Sequence, residues 1–242
     1  SEYRFNKVKR APAYKVVADK LLKAVVEREL RPGDLLSIES DLAEQFGVNR
    51  STVREGIRHL EQTGMVERHG KRLVVSKPSY SMLGDQVSMA LVVHDVTFKE
   101  LLDVKMELEP LAARLASASI DEHLLKRLEE NLAATKEALA EGADLVPLDL
   151  EFHELIADAA SNKALAIARM AIARLFYPAY RAGMFPENSG QRLVTAHEII
   201  LDAIKHKDAE KASEWMRKHI IDFRRGYELA GLDIDAPVPW SE

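Results

Sequence analysis

The sequence predicts a mainly α-helical protein in two parts: an N-terminal part with a small β-hairpin, and a C-terminal antiparallel helical bundle. Residues 82–230 show helical periodicity of apolar residues with no competing β-strand signal. Two short β-prone runs occur at 65–68 and 72–76. Residues 1–78 carry a net charge of +5 (16 Lys and Arg, 11 Asp and Glu), whereas residues 79–242 carry −10 (18 and 28). The first part is therefore the one suited to a polyanion.

The composition is that of an ordinary globular protein, with 47% hydrophobic and 30% charged residues among 242. The absence of cysteine excludes disulfides and thiolate metal sites, so a metal site must use His, Asp or Glu. No long uncharged apolar run is present, and the first ten residues lack the apolar core of a signal peptide. We therefore expect a cytoplasmic protein with no membrane partner.

The N-terminal domain is predicted to cover residues 1–77, and its elements follow from local signals. Gly47 and Gly64 end two helices, and a serine (Ser37 as the N-cap, or Ser40 in the first turn) marks the start of one. The predicted elements are, in order, a helix at 13–29, the turn Arg31–Asp34, a helix at 37–46, a helix from 49 or 51 to 64, and a hairpin with its turn at 69–71.

The segment Leu42–Ile57, "LAEQFGVNRSTVREGI", has the spacing of a helix-turn-helix. Ala43 is small where two helices would cross, and Gly47 lies in the turn, where a positive φ is easiest for glycine. The second helix would present short polar and basic side chains to the major groove, and the hairpin would form a wing. The predicted contacts to double-stranded operator DNA are Asn49, Arg50, Ser51, Thr52 and Arg54 in the helix, and His69 and Gly70 in the wing. The alternative is an ordinary helix pair with solvated charges.

The C-terminal domain is predicted to cover residues 78–230, followed by a mobile tail at 231–242 that contains prolines and no periodicity. Asp121 and Asp208 are predicted N-caps, and Pro147 suits the first turn of a helix. The predicted helices lie near 83–92, 97–118, 121–141, 146–160, 163–183, 189–206 and 208–230.

Three of the eight histidines, His153, His197 and His219, have apolar residues on their side of three separate helices. Asp149 lies one turn before His153 on the same helix face. Each histidine could be a core residue with one hydrogen bond, but buried polar groups need partners, and one divalent metal ion would pair all four. Three nitrogens and one oxygen suit Zn²⁺ first, or Ni²⁺, Mn²⁺ or Co²⁺.

The segment "PGDLLSIESDLAEQFGVNRSTVREGIRHLEQTGMVERHGKRLVVSKP" resembles the winged helix of the GntR family of bacterial transcription regulators. The family pattern of a Pro-Gly turn, an "LA…GV-polar-R-x-x-V-R-E" core and a "Le-x-x-G" end is present throughout. The resemblance implies the same seven DNA contacts. Ser40 stands where many relatives carry a basic residue, so the operator could differ.

The helical part resembles the ligand-sensing FCD domain of the FadR subgroup, and the similarity extends over about residues 12–228. It is carried by "KMELEPLAARLA", "DLEFHELIADAASN" and "AHEIILDAIKHKDAEKASEWMRKHI". In metal-binding members the matching residues hold the ion, which implies a site at Asp149, His153, His197 and His219, with a small organic acid as effector. Two positions depart from the pattern: Lys105 replaces the usual Arg, and Lys163 the usual Pro.

Basic and phenolic side chains near these helices could hold the carboxylate of such an effector, because an inward arginine binds a carboxylate through two hydrogen bonds. Surface salt bridges are the alternative for each of them. The residues are Arg174, Tyr177, Tyr180, Arg181 and Arg192, and the resemblance adds Lys105, which stands where relatives carry an Arg that can help to hold an acidic ligand.

The sequence thus predicts a ligand-responsive transcription regulator, not an enzyme. By the resemblance it would be a repressor, a homodimer that reads a palindrome with half-sites ~34 Å apart. The alternative is a metal-dependent hydrolase or lyase with an appended DNA-binding segment, since such a metal ion could activate water. Against it, the helix faces around the four residues offer no general base besides Asp149.

Overall fold

The computed structural model describes residues 11–181 and 188–239, apart from the side chains of residues 80, 81, 171, 174 and 177–181. Arg174, Tyr177, Tyr180 and Arg181, predicted as effector contacts, therefore lie outside the described side chains. The described residues form two compact units, divided between Met82 and Leu83, five residues after the predicted boundary at residue 77. Among the described residues, no helix combines the length and apolar character needed to cross a bilayer.

The first unit is a winged helix-turn-helix, as the sequence predicts. Its helices and strands are α1 (Ala13–Val26), β1 (Leu35–Leu36), α2 (Glu39–Phe46), α3 (Arg50–Gln62), β2 (Val66–His69) and β3 (Arg72–Val75). The strands form an antiparallel sheet in the order β1-β3-β2. Gly47 takes the left-handed conformation expected of the turn (φ 64°), and Val53 and Ile57 bury the inner face of α3.

Two features of this unit differ in part from the expectation. The N-cap of α2 is Ile38, without a side-chain hydrogen bond, and not Ser37, whereas Ser40 lies in the first turn, which is the other predicted placement. Strand β1, which the sequence does not predict, pairs Leu35 with Val74 of β3. A strand of two residues is too short to show an alternating apolar pattern, and it is defined only by its hydrogen bonds to the partner strand.

The second unit is all-helical in its described part, in agreement with the predicted fold class. Its helices are α4 (Tyr80–Val93, which begins in the first unit), α5 (Phe98–Ser119), α6 (Glu122–Glu141), α7 (Val146–Ala159), α8 (Lys163–Arg181), α9 (Ser189–Lys205) and α10 (Ala209–Leu229). Asp121 and Asp208 cap α6 and α10 through hydrogen bonds from backbone N–H groups, and Pro147 lies in the first turn of α7. Helix α10 packs on α5 and α9, while α7 packs on α5 and α6, around one apolar core.

The described part of the C-terminal tail is attached to the start of α5, unlike the mobile tail that the sequence predicts. The Val238 amide donates to the carbonyl of Val96 at 2.9 Å, and the Lys99 amide donates to the carbonyl of Ile234 at 2.9 Å. Val238 is also buried. Proline and missing periodicity exclude a helix, but they do not exclude strand-like pairing with a distant segment.

Candidate functional site

The start of α3 is held by a dense capping arrangement. Asn49 is the N-cap, and its Oδ1 accepts hydrogen bonds from the Thr52 amide at 2.8 Å, the Thr52 hydroxyl at 2.6 Å and the Ser51 hydroxyl at 2.8 Å. Asn49, Arg50 and Ser51 remain exposed. The predicted DNA contacts thus lie at the exposed N-terminus of α3, where the positive end of the helix dipole also favours a phosphate.

Arg54 is exposed on the same helix, but its guanidinium is already bound within the protein. Its Nε donates to Glu39 of α2 at 3.0 Å, and this hydrogen bond holds the pKa of Glu39 below its usual range. Arg68 of the wing lies 3.4 Å from the same carboxylate and 3.1 Å from Glu61. To contact DNA, the Arg54 guanidinium must therefore either release Glu39 or bind Glu39 and the DNA at the same time.

The wing presents His69 and Gly70 at an exposed turn, as the sequence predicts. Gly70 has φ 65°, and a Cβ atom there would meet nothing within 4 Å, so the conformation itself requires the glycine. His69 Nε2 lies 3.3 Å from a Glu67 carboxylate oxygen. An open groove bordered by α2, α3 and the wing carries an excess of positive charge. Its lining includes six basic residues, Arg50, Arg54, Arg58, Arg68, Lys71 and Arg72, and three acidic ones, Glu39, Asp41 and Glu61. Arg58, which is not among the predicted DNA contacts, belongs to this surface. The sequence indicates this, because Arg50, Arg54 and Arg58 are spaced four residues apart and so share one helix face.

The second candidate site is a cluster of four donors deep in the helical unit. Asp149 and His153 come from α7, His197 from α9 and His219 from α10. One ligand atom from each lies within 4.8 Å of all the others. Asp149 Oδ1 is 3.1 Å from His197 Nε2 and 3.4 Å from His219 Nε2, and the Nε2 atoms of His153 and His219 are 3.3 Å apart. The structure thus brings together the four residues that the sequence proposes as metal ligands.

The cluster fits a divalent metal ion, because several of its buried polar atoms have no hydrogen-bond partner. All four residues are buried, with exposed fractions of 0–9%. Both carboxylate oxygens of Asp149 and both ring nitrogens of His197 have no hydrogen-bond partner among the described residues. The 3.1 Å approach of His197 to Asp149 is therefore close without being a hydrogen bond. A buried unpaired polar group costs about 1–3 kcal/mol, and a cation at the centre of the cluster would provide a partner for the Asp149 carboxylate and for one ring nitrogen of His197.

The protonation states also suit metal binding. Burial would raise the pKa of Asp149, but the nearby imidazoles of His197 and His219 hold it well below its usual range. Burial lowers the pKa of His197 to about 4, and it also lowers the pKa of His153. An ionised carboxylate and neutral imidazoles are the forms that coordinate a metal, and these shifts favour those forms at Asp149, His153 and His197.

A second set of buried charges, which the sequence analysis largely missed, surrounds His153. Glu109 of α5 accepts from Arg169 Nε of α8 at 2.7 Å, and it lies 2.8 Å from His153 Nδ1. Lys105 Nζ is 3.7 Å from Glu109 and 5.0 Å from the centroid of the Phe176 ring. Glu109 and Arg169 both have apolar neighbours at helical spacing. The criterion that selects the three histidines, apolar residues on the same helix face, would therefore also select these two charged residues.

The predicted effector contacts with described side chains lie in two different places. Lys105 is buried beside Glu109, whose charge opposes the lowering of the Lys105 pKa by burial. Arg192 Nε is 3.0 Å from both carboxylate oxygens of Asp222, at a recess that Asp149 and His219 also line. A cavity of about 250 Å³, with apolar side chains from α6, α7 and α9, adjoins Asp149 from another side.

A winged helix-turn-helix with a basic groove, joined to a helical unit with a buried donor cluster, defines the class: a DNA-binding transcription regulator. Residues 13–74 match the model of the bacterial regulatory proteins of the gntR family, and residues 100–222 match that of the FCD domain. The chain belongs to the GntR family of bacterial transcription regulators, in its FCD-domain group.

Individual relatives agree with this assignment. The chain is 30% identical over 198 residues to the HTH-type transcriptional regulator LutR of Bacillus subtilis, covering 79% of this chain and 90% of the relative. It is 26% identical over 211 residues to the HTH-type transcriptional repressor NanR of Cronobacter sakazakii, covering 85% and 81%. The solved structure of Streptococcus agalactiae GntR superposes with a TM-score of 0.65 at 29% identity, covering 88% of this chain and 99% of that one. The family and these relatives are transcription regulators and not enzymes, which decides against the hydrolase or lyase alternative.

Proposed function

We propose that the protein is a metal-dependent, ligand-responsive repressor that senses a small carboxylate. The observation that carries this proposal is the buried cluster of Asp149, His153, His197 and His219, with four polar atoms unpaired. Such a cluster serves little purpose in a purely apolar core, because buried polar groups without partners destabilise a fold. These four residues would hold a divalent ion, Zn²⁺ first among the candidates.

The ion, when bound, supplies a positive centre with a coordination position for a carboxylate oxygen. Asp149 lies at the junction of the apolar cavity and of the recess that contains Arg192, so both adjoin the proposed ion. Exchange of Asp222 for a ligand carboxylate would allow Arg192 to clamp the effector. A small acid with an apolar portion fits these surroundings.

The first unit would bind operator DNA in the bacterial cytoplasm through α3 and the wing. The contacts would be Asn49, Arg50, Ser51 and Thr52 at the start of α3, Arg54 on release from Glu39 or while sharing it, and His69 and Gly70 in the wing. We propose a homodimer, since two copies are needed to read a palindrome with half-sites ~34 Å apart. Large exposed apolar side chains support an interface on the helical unit. They include Val87, Met89 and Val93 on α4, and Val104 and Leu111 on α5. Effector binding would release the operator by favouring an arrangement that binds DNA less well.

The effector proposal predicts a stabilisation that depends on the metal. Zn²⁺-loaded and chelator-treated protein are screened by thermal unfolding against hydroxy-, keto- and sugar acids. An acid present at a hundred times its Kd should raise the free energy of unfolding of the loaded protein by ~2.7 kcal/mol. Elemental analysis of the same preparations measures the metal. Equal stabilisation of the metal-free protein would contradict a role for the ion in binding the effector.

The operator proposal predicts that Arg50→Ala weakens binding to specific DNA by ~10–100-fold, since one bidentate base contact contributes ~1–3 kcal/mol. The measurement compares DNA selected from a random pool by the wild-type protein with the unselected pool. On the unselected pool we expect a loss of only a few-fold, as for one phosphate contact.

The control for Arg50→Ala is Lys23→Ala, which removes an exposed cation on α1 outside the groove. It should leave both affinities close to those of the wild type. An equal loss on selected and unselected DNA would instead make Arg50 a backbone contact only.

A further inference from the structure

His153 differs from His197 in the contact made by its second ring nitrogen. Its Nδ1 lies 2.8 Å from a carboxylate oxygen of Glu109, while its Nε2 faces the donor cluster. Both residues are 1% exposed, so water does not compete for this contact. His197, in contrast, stacks on Phe152 with ring centroids 3.7 Å apart and interplanar angle 9°, and its Nδ1 has no partner among the described residues.

The charges around Glu109 determine whether the proton shared between Glu109 and His153 is bound to the carboxylate oxygen or to Nδ1 of the imidazole. Arg169 donates to the other carboxylate oxygen at 2.7 Å, and Lys105 Nζ lies 3.7 Å away, so Glu109 is held as a carboxylate. A carboxylate only accepts hydrogen bonds. The proton between Glu109 and His153 therefore belongs to Nδ1 of the imidazole.

This proton leaves Nε2 of His153 with a free lone pair aimed at the cluster. The Nε2 atoms of His153 and His219 are 3.3 Å apart, and only one of two such atoms can donate to the other. Without a metal, His219 is then the donor and His153 the acceptor. His153 therefore presents the form that a metal requires before any metal arrives.

We propose that Glu109 is a positioning residue, which keeps His153 in the tautomer protonated at Nδ1 and so presents Nε2 to the metal. Arg169 keeps Glu109 in place through the second carboxylate oxygen. This inference rests on the proposed metal site, and it extends that site from α7, α9 and α10 to α5 and α8. A carboxylate that fixes a histidine ligand in this way increases metal affinity by about 10–100-fold.

The test is Glu109→Gln, which preserves the size of the side chain. Because Arg169 needs an acceptor, the amide oxygen should turn to Arg169 and the NH₂ group should donate to Nδ1 of His153. The imidazole must then carry its proton on Nε2. Long-range ¹H–¹⁵N spectra of the metal-free proteins should show His153 protonated at Nδ1 in the wild type and at Nε2 in the variant. Competition with a chelator should show Zn²⁺ bound about 10–100-fold more weakly by the variant.

Glu107→Gln, an exposed position two residues away on α5, is the matched control and should change neither the spectrum nor the affinity. Unchanged His153 protonation and Zn²⁺ affinity in Glu109→Gln would overturn the proposal. If Glu109→Gln does not fold, the spectrum of the metal-free wild-type protein tests the proposal. His153 protonated at Nε2 in that spectrum would overturn it. If the wild type binds no Zn²⁺, the metal site fails, while the two tautomers still test the role of Glu109 toward His153.

Discussion

Replacing His197 with alanine should reduce the Zn²⁺ content of the purified protein from about one ion per chain to less than about a tenth, since three remaining ligands close a structural site poorly. His197 is completely buried, and its Nε2 lies 3.1 Å from Asp149 Oδ1, so it is one of the four donors that would surround the proposed ion. Thermal unfolding should also stop responding to added Zn²⁺. In the wild type, Zn²⁺ at a hundred times its Kd should raise the free energy of unfolding by ~2.7 kcal/mol.

Two further variants separate lost coordination from lost packing. His197→Gln retains most of the volume that stacks on Phe152, so a loss of metal in this variant cannot be attributed to a cavity. His123→Ala removes an exposed histidine on α6 and should retain full metal content. A His197→Ala protein with undiminished metal occupancy would show that the proposed ligand set is wrong.

Replacing Gly56 with valine should destabilise the winged helix by ~3 kcal/mol and remove most of its DNA binding, since inserting atoms into a packed contact forces the backbone apart. Gly56 lies on α3 where that helix crosses α1. A Cβ atom there would be 2.8 Å from the carbonyl oxygen of Tyr14 and 3.2 Å from the Val17 side chain. A carbonyl oxygen within a helix cannot move aside by a side-chain rotation, so α1 would have to separate from α3.

The matched control is Glu55→Val, which places the same β-branched residue one position earlier, on the exposed side of α3. It lowers helix propensity by a few tenths of a kcal/mol without the steric conflict, whereas Gly56→Val raises helix propensity, so propensity does not explain a loss of stability in Gly56→Val. Denaturant unfolding and DNA binding measure both variants, and metal content should be unchanged because the helical unit has its own core. Equal stability of Gly56→Val and Glu55→Val would refute the close α1–α3 contact.

Predictions from local signals agree with the structure where the physical cause is local. A positive φ at Gly47 and the N-caps at Asp121 and Asp208 each depend on a few consecutive residues. The pairing of β1 with β3 and the attachment of the tail to α5 were missed, because each depends on backbone hydrogen bonds to a segment far away in the chain. None of the paired segments has a local sequence pattern that predicts this pairing.

The candidate sites divide in the same way. Helical periodicity places Asp149 and His153 on one inward face, and the same periodicity places His197 and His219 inward on their own helices. It also places Arg54 at the start of the recognition helix, but it does not reveal that Glu39 of another helix already binds that guanidinium. Ion pairs between helices depend on helix packing, which periodicity does not specify.

The fold class, the winged helix-turn-helix and the four inward-facing donors can be predicted from the amino-acid sequence, because helix faces, caps and turns follow from residues a few positions apart. The convergence of these donors within 4.8 Å, and the positions of Glu109 and Arg169 behind His153, are known from the three-dimensional structure alone. Convergence depends on how α5, α7, α8, α9 and α10 pack. That packing is set by apolar contacts summed over the whole core, which carry no signal at any single position.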